Sequence, residues 1–295
     1  MSDLLNNREA LGDIHAHARQ WADLLKLPFR QHRWRGHAGE FMGMGVGSSL
    51  DFQDHRAYMP GDDPRQINWQ AYARTGHYTM KLYREEVRPL VDLLFDVSPS
   101  MFAFPAKEQR ALELFYYGFE SASRVGSSVK TYAVHGDAHR LLPEDAILSH
   151  RWPEELNGLN ANTSAPPLLA RLPLRAGSLR LLLSDLLFPG APENILPALS
   201  ARNGRGLVFA PFAREEADPG WEGNFEFVDA ETRGHHLHRV EPALLQRYEQ
   251  AYRRHFELWK IGARKYGVAL ARVSAESAFE AALRTEAIAV GAVEV

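Results

Sequence analysis

Short apolar segments alternate with amphipathic stretches from about residue 88 to the end of the chain. A short apolar run bounded by proline or glycine predicts a buried strand, and apolar residues spaced three and four apart predict a helix. On this pattern strands are predicted at residues 90–96, 129–135, 139–142, 179–185, 207–212 and 268–273, with a hairpin over 225–240. The stretches between them predict helices at about 107–125 and 193–202, a long helix ending at Gly267, and a last helix with a capping box of Ser277 and Glu280.

Alternation of strands and helices predicts a mainly parallel sheet with right-handed crossovers and helices on both faces. We therefore expect a doubly wound α/β domain over residues 88–295. Residues 1–87 differ, because an amphipathic helix is predicted between about residues 4 and 25, followed by a region of glycine, aromatic and charged residues with few apolar runs. We expect this region to form a small β-rich element that carries a tight turn at residues 60–65.

Candidate chemistry lies at the end of the first predicted strand of the α/β domain. Asp96, Ser98 and Ser100 follow one another with a single residue between successive members. Ligands bind outside the carboxyl ends of strands in open sheets, and oxygen donors of this kind suit Mg²⁺ or Mn²⁺. The alternative is an ordinary strand-end turn, in which Asp and Ser side chains bond nearby backbone groups.

The Asp-x-Ser-x-Ser pattern resembles the metal-ion-dependent adhesion site of von Willebrand factor A domains. That resemblance implies two further ligands, a threonine in a second loop and an aspartate at the end of a later strand. Thr163 and Asp185 occur in the expected order, although Ser164 could replace Thr163. The resemblance thus implies a cation site of Asp96, Ser98, Ser100, Thr163 and Asp185.

A longer motif precedes the first strand of the α/β domain. The segment Arg56-Ala-Tyr-Met-Pro-Gly-Asp-Asp-Pro-Arg-Gln-Ile-Asn-Trp69, continuing to Glu85-Glu86, is similar to the signature of the bacterial family called domain of unknown function 58. It departs from that signature at residues 50–52 and at Asn68, where Asp is common. The family resemblance implies a von Willebrand A-like domain after the motif. It also implies a partner, a MoxR-type AAA+ ATPase that assembles or matures other proteins.

Composition narrows the function classes. The formal net charge of −3 gives no electrostatic case for nucleic acid or an anionic membrane as partner. The absence of cysteine excludes thiol catalysis, disulfides and thiolate metal sites. The first residues lack the basic start and apolar core of a signal peptide, and no apolar run reaches the ~18 residues of a membrane span. We therefore expect a cytoplasmic protein without membrane insertion.

Among the function classes, these features favour a metal-dependent protein-binding adaptor that is not an enzyme. A partner's carboxylate would complete the coordination of the bound Mg²⁺ or Mn²⁺. The alternative is a metal-dependent hydrolase or phosphatase, since the same ion could polarise a phosphoryl oxygen. An aspartyl-phosphate enzyme would normally have a second carboxylate two residues after Asp96, where Ser98 stands. Zinc at His236 and His238 is disfavoured because no third ligand has a recognisable spacing.

Overall fold

The computed structural model describes residues 3–30, 41–46, 52–159 and 165–295. The region before the main sheet contains two helices and a three-stranded antiparallel sheet, in which β3 lies between β1 and β2. Its elements are α1 (Arg8–Trp21), β1 (Phe41–Val46), β2 (Phe52–Ala57), α2 (Trp69–Thr75) and β3 (Thr79–Val87). The expected N-terminal helix and β-rich element are therefore both present.

The rest of the chain is built on a six-stranded sheet with strand order β11-β8-β7-β4-β5-β6. All neighbouring strands are parallel except β5 and β6. The strands of this sheet are β4 (Leu90–Asp96), β5 (Ser128–His135), β6 (Ala138–Leu142), β7 (Leu179–Leu183), β8 (Arg205–Phe212) and β11 (Ala269–Ser274). A separate hairpin consists of β9 (Gly223–Val228) and β10 (His235–Val240). The prediction of a mainly parallel α/β sheet is confirmed.

Helices cover both faces of this sheet. They are α3 (Pro105–Arg124), α4 (Glu144–Leu148), α5 (Pro192–Ser200), α6 (Arg214–Ala217), α7 (Pro242–Tyr266) and α8 (Phe279–Glu286). Successive side chains of a strand point to opposite faces, so β4 contributes Leu93 and Phe95 to a core shared with α1, α3 and α8. Leu94 belongs to a second core, formed with α5 and α7. The arrangement is the predicted doubly wound fold, with a buried sheet between two helical layers.

The N-terminal helix α1 is part of the first of these cores. Leu11, Ile14 and Ala18 are buried in the same cluster as the apolar face of α3. The backbone of Lys26 also pairs with that of Glu294 near the end of the chain. The division into two units at residue 88 stays a prediction, but α1 packs as a layer of the main body.

Several predicted boundaries were wrong by a few residues. Helix α1 begins only after Asn7, whose side chain accepts a hydrogen bond from the Ala10 backbone, and it ends at Trp21. The strand predicted to reach Asp185 ends at Leu183, because the chain turns there. The predicted capping box of Ser277 and Glu280 was wrong as well. Helix α8 follows Ala278, whose methyl group cannot accept a hydrogen bond from the helix. These are local differences, and they change none of the predicted layers.

The tight turn at residues 60–65 is held by its own charged side chains. Asp62 forms a two-pronged ion pair with Arg56, with N–O distances of 2.6 and 2.7 Å, and accepts the Met59 backbone N–H at 2.8 Å. The hydrogen bond from Arg56, followed by that from Met59, lowers the pKa of Asp62. Asp63 caps the one-turn helix Pro64–Gln66, and Asn68 caps α2 through the Ala71 N–H. Asn68 thus fulfils a capping role that needs no charge.

Replacing Asp62 by Ala should lower the melting temperature, because Arg56 and the Met59 N–H lose their shared acceptor. The effect should be largest at neutral pH and should shrink as the pH falls through the lowered pKa of Asp62. A carboxyl with a lowered pKa stabilises the fold above that pKa and loses the contribution when it is protonated. Thermal unfolding of wild type and Asp62→Ala at pH 7 and pH 3 measures it, and Asp13→Ala, a change at an exposed aspartate of α1, is the control that should leave the melting temperature nearly unchanged. Equal melting temperatures at pH 7 would contradict an architectural role for this turn.

Candidate metal centre

The sheet topology brings Asp96 and Asp185, two of the predicted site residues, to one crevice. From β4 the chain continues to β5 on one side, and β7 later takes the opposite side of β4. Such a reversal of direction opens a crevice at the carboxyl ends of the strands, where ligands bind in open α/β sheets. Asp96 is the last residue of β4 and Asp185 lies two residues beyond β7. The two carboxylates therefore face the same crevice from neighbouring strands.

Asp96 is 1% exposed and fully engaged by its surroundings. One carboxylate oxygen accepts the Ser98 backbone N–H at 3.0 Å, and the other accepts the Ser184 hydroxyl at 2.6 Å. Burial, and after it the negative charge of Asp185, raise the pKa of Asp96 to about 6. A buried carboxylate whose charge is destabilised by a neighbouring negative charge favours the presence of a cation.

Ser98 and Ser100 present their hydroxyls side by side. Ser98 precedes a single 3₁₀ turn, Pro99–Phe102, which brings the two hydroxyl oxygens to 3.1 Å from each other. Adjacent ligands of an octahedral Mg²⁺, at about 2.0–2.1 Å from the ion, lie about 2.9 Å apart. The spacing of the two hydroxyls therefore fits shared coordination of one such ion. In the strand-end alternative only the Asp96–Ser98 contact would be needed.

The loop after β7 is held in a conformation that bulky residues rarely adopt. Asp185 accepts the Leu187 N–H at 3.0 Å, and its own N–H points to the Met101 sulfur at 3.1 Å. Leu186 between them has φ of +62° and is fully buried. A branched residue in the left-handed region is strained, and such strain is concentrated at functional sites. The fold thus fixes the direction in which the Asp185 carboxylate points.

Lys107 is a site residue that the sequence analysis did not include. Its ammonium is fully buried and lies 2.7 Å from Asp185 Oδ2 and 2.5 Å from Glu216 Oε1. Burial lowers the pKa of this lysine, but the two carboxylates outweigh burial and the pKa lies above its ordinary value. A signal was present in the sequence, because Lys107 falls in the first turn of α3, where the helix dipole disfavours a positive charge.

Glu231 was missed too, because it lies far from the other site residues in the sequence. It is located in the loop between β9 and β10 and accepts the Ser100 backbone N–H at 3.1 Å. Its second carboxylate oxygen lies 3.4 Å from Nε2 of His135, at the end of β5. Glu231 accepts a hydrogen bond from His135, and this bond raises the pKa of His135. Only the tertiary structure brings this hairpin to the crevice.

The outcome for the predicted ligands is mixed. Asp96, Ser98, Ser100 and Asp185 lie at the same crevice, and their role as ligands stays a prediction. Thr163 and its alternative Ser164 lie outside the described residues. Across residues 3–30, 41–46, 52–159 and 165–295, no group of three or more His, Cys, Asp or Glu side chains is arranged to hold a metal. A cation here would depend on hydroxyl oxygens as much as on carboxylates.

Comparison with known families adds a decisive observation. The sequence profile of the family described as "Protein of unknown function DUF58" matches residues 54–257. The chain belongs to the DUF58 family. The matched range includes the turn at residues 60–65, β4 with Asp96, and Asp185. It also includes Glu231, so the whole described crevice lies inside the DUF58 region.

Two further comparisons say less about this DUF58 protein. No curated protein matches the sequence. A crystal structure described as the conserved hypothetical protein BatB from Bacteroides thetaiotaomicron is similar over 68% of this chain and 98% of that chain. Its sequence identity is 12% and its TM-score is 0.32, values that add nothing to the fold described above. None of the helices in the described part of the chain is both long and apolar enough to cross a membrane.

Proposed function

We propose that the chain is a metal-dependent protein-binding adaptor that catalyses no reaction of its own. The observation that carries the proposal is the pair of hydroxyls of Ser98 and Ser100, 3.1 Å apart, beside the buried carboxylates of Asp96 and Asp185. Mg²⁺ or Mn²⁺ would be held by Ser98, Ser100 and the predicted Thr163. Asp96 and Asp185 would act mostly through water.

The donor set explains why such a site suits binding of another protein. The ion would supply an electrophilic position that accepts a carboxylate oxygen. Both oxygens of Asp96 and both oxygens of Asp185 already accept hydrogen bonds from the protein, so these carboxylates have limited capacity for direct coordination. A hard cation held mainly by neutral hydroxyls remains short of negative charge. An aspartate or glutamate of a partner protein would provide it.

In the part of the chain that the structure describes, no histidine is hydrogen-bonded to a serine of the crevice, which disfavours the hydrolase or phosphatase alternative. Catalysis of this kind needs a nucleophile within hydrogen-bond reach of a base. His135 ends the strand β5 beside β4, and its Nε2 lies 3.4 Å from a carboxylate oxygen of Glu231. Ser98 stands where an aspartyl-phosphate enzyme would have its second carboxylate. These features favour binding over turnover.

The favoured partner is a MoxR-type AAA+ ATPase, which the family resemblance implies. Membership of the DUF58 family supports this choice. No contact in the crevice selects an ATPase over another acidic partner. The partner and the metal site are therefore separate parts of the proposal and need separate tests.

Mn²⁺ should bind wild type, and the affinity should fall at least tenfold in Asp96→Asn, which removes the charge but keeps the shape of the side chain. Titration followed by electron paramagnetic resonance at pH 8 measures free Mn²⁺ directly. Asp145→Asn, a change at an exposed aspartate of α4, is the matched control and should bind like wild type. Equal affinity in wild type and Asp96→Asn would remove the proposed site.

The partner test is a pull-down of a MoxR-type ATPase with the purified chain. We expect capture in Mg²⁺, loss of capture in EDTA, and loss in Ser100→Ala, which removes one hydroxyl ligand. A contact between surface charges would respond mainly to salt. Capture that persists in EDTA would retain the partner and reject the role of the metal. Phosphoester hydrolysis by wild type that is lost in Asp96→Asn would make the enzyme alternative the better one.

A further inference from the structure

Glu231 brings a carboxylate from the β9–β10 hairpin to the backbone of Ser100. One oxygen accepts the backbone N–H of Ser100, a candidate metal ligand, and the other lies 3.4 Å from His135 Nε2. The Glu231 side chain is 21% exposed, so this loosely held oxygen can coordinate an ion, unlike the oxygens of the buried Asp96 and Asp185. Glu231 is separated from Ser100 by 131 residues, so this contact depends on the fold. Asp185 and Glu216 flank the buried ammonium of Lys107, and Asp96 lies close enough to Asp185 for the two charges to interact. The crevice therefore holds more carboxylates than ammonium groups, which favours an additional cation.

The loop that carries Glu231 is well ordered by its own hydrogen bonds. One oxygen of Asp229 accepts the backbone N–H of Glu231 at 3.0 Å and that of Thr232 at 2.6 Å. The backbones of Asp229 and Gly234 pair across the loop at 2.8 Å, where the hairpin closes. These bonds, that from Thr232 first, lower the pKa of Asp229 and keep it charged. Glu231 is therefore presented toward the crevice by a fixed turn.

The hairpin is attached to the body at its base and at its tip. Strands β9 and β10 form a separate two-stranded sheet. At the base, Trp221 contacts both Phe227 of the hairpin and Tyr248 of α7. Between the tip and the body is a groove of about 560 Å³, lined on the hairpin side by Val228, Ala230 and Arg233. The body side is mainly apolar and includes Val97, Pro99 and Phe102.

From this arrangement we propose that Glu231 occupies the position of the partner's carboxylate, so that the β9–β10 hairpin is a tethered competitor that a partner must displace. This inference rests on the proposed metal-dependent binding. The partner that fits is an acidic peptide segment, with an aspartate or glutamate to replace Glu231 and a neighbouring apolar side chain for the groove. Arg233 in the groove favours a second acidic residue on that segment.

Replacing Glu231 by Gln should change two measurements in opposite directions. The affinity for Mn²⁺ should fall about tenfold, because a carboxylate near the ion is lost. The water-proton relaxivity of bound Mn²⁺ should rise, because one more water molecule coordinates the ion in the variant. Free acetate, used as the carboxylate probe, should then displace that water at about tenfold lower concentration than in wild type, because a tethered competitor acts at millimolar or higher effective concentration.

Two further variants distinguish the effect of where the Glu231 carboxylate lies from the effect of the overall charge of the hairpin. Glu231→Asp keeps the charge on a shorter side chain and should behave like Glu231→Gln. Glu226→Gln removes an exposed charge of the same hairpin, one that pairs with His235, and should behave like wild type. Mn²⁺ binding with equal water numbers and equal acetate response in all four proteins would overturn this inference and leave the metal site intact. Absence of Mn²⁺ binding in wild type would overturn both.

Discussion

Replacing Lys107 by Met should destabilise the fold by about 3–5 kcal/mol, the usual result of removing one partner from a buried ion pair. Lys107 is fully buried, and its ammonium is the cation that lies between Asp185 and Glu216. Without it, two buried carboxylates would face each other with no counter-charge. Removing a lysine from the first turn of α3 also relieves an unfavourable dipole interaction, but that gain is only about 0.3–1 kcal/mol.

Chemical denaturation of wild type and Lys107→Met at pH 7 measures this effect. Lys130→Met is the matched control, because Lys130 is exposed on β5 and its loss should change stability little. The double variant Lys107→Met with Glu216→Gln should recover part of the loss, since one of the two unpaired charges is removed with the ammonium. A single variant as stable as wild type would show that the Lys107 ion pairs contribute nothing to the fold.

Replacing Asp96 by Asn should stabilise the metal-free protein above pH 6, although the same change should weaken metal binding at least tenfold. The folded protein raises the pKa of Asp96 to about 6, through burial and the charge of Asp185. Between about pH 4 and pH 6 the unfolded chain has released this proton and the folded chain retains it, so the free energy of unfolding falls as pH rises. Two pKa units correspond to about 3 kcal/mol.

Asparagine carries no charge, so the variant avoids this cost. The difference in unfolding free energy between Asp96→Asn and wild type should be near zero at pH 4 and reach up to about 3 kcal/mol at pH 8. Mn²⁺ at a concentration that saturates wild type only should narrow or reverse this difference, because the tighter binder gains more stability. Denaturation at both pH values, with and without Mn²⁺, tests all four conditions. Lower stability of metal-free Asp96→Asn than of wild type at pH 8 would contradict the view that the charged Asp96 carboxylate destabilises the metal-free fold.

The layers of the α/β domain could be predicted from local pattern alone. Strand β4 is a short apolar run between prolines, and α7 shows a long helical stripe that ends at Gly267, a residue in the left-handed conformation that suits a helix end. The burial of apolar side chains largely determines where such strands and helices form, and the spacing of apolar residues is visible in the sequence. Boundaries were less accurate, because capping and turn contacts depend on individual side chains, as at Asn7 and Ala278.

The sequence by itself determined the alternation of strands and helices, and it predicted that Asp96, Ser98, Ser100 and Asp185 follow strand ends that meet at one edge of the sheet. Only the tertiary structure decided what surrounds them. Lys107 and Glu231 reach the crevice through α3 and through a separate hairpin, contacts between residues distant in the chain. No periodicity marks such contacts, because they arise from the packing of whole elements. The electrostatics of the site, including the raised pKa of Asp96, follow from that packing.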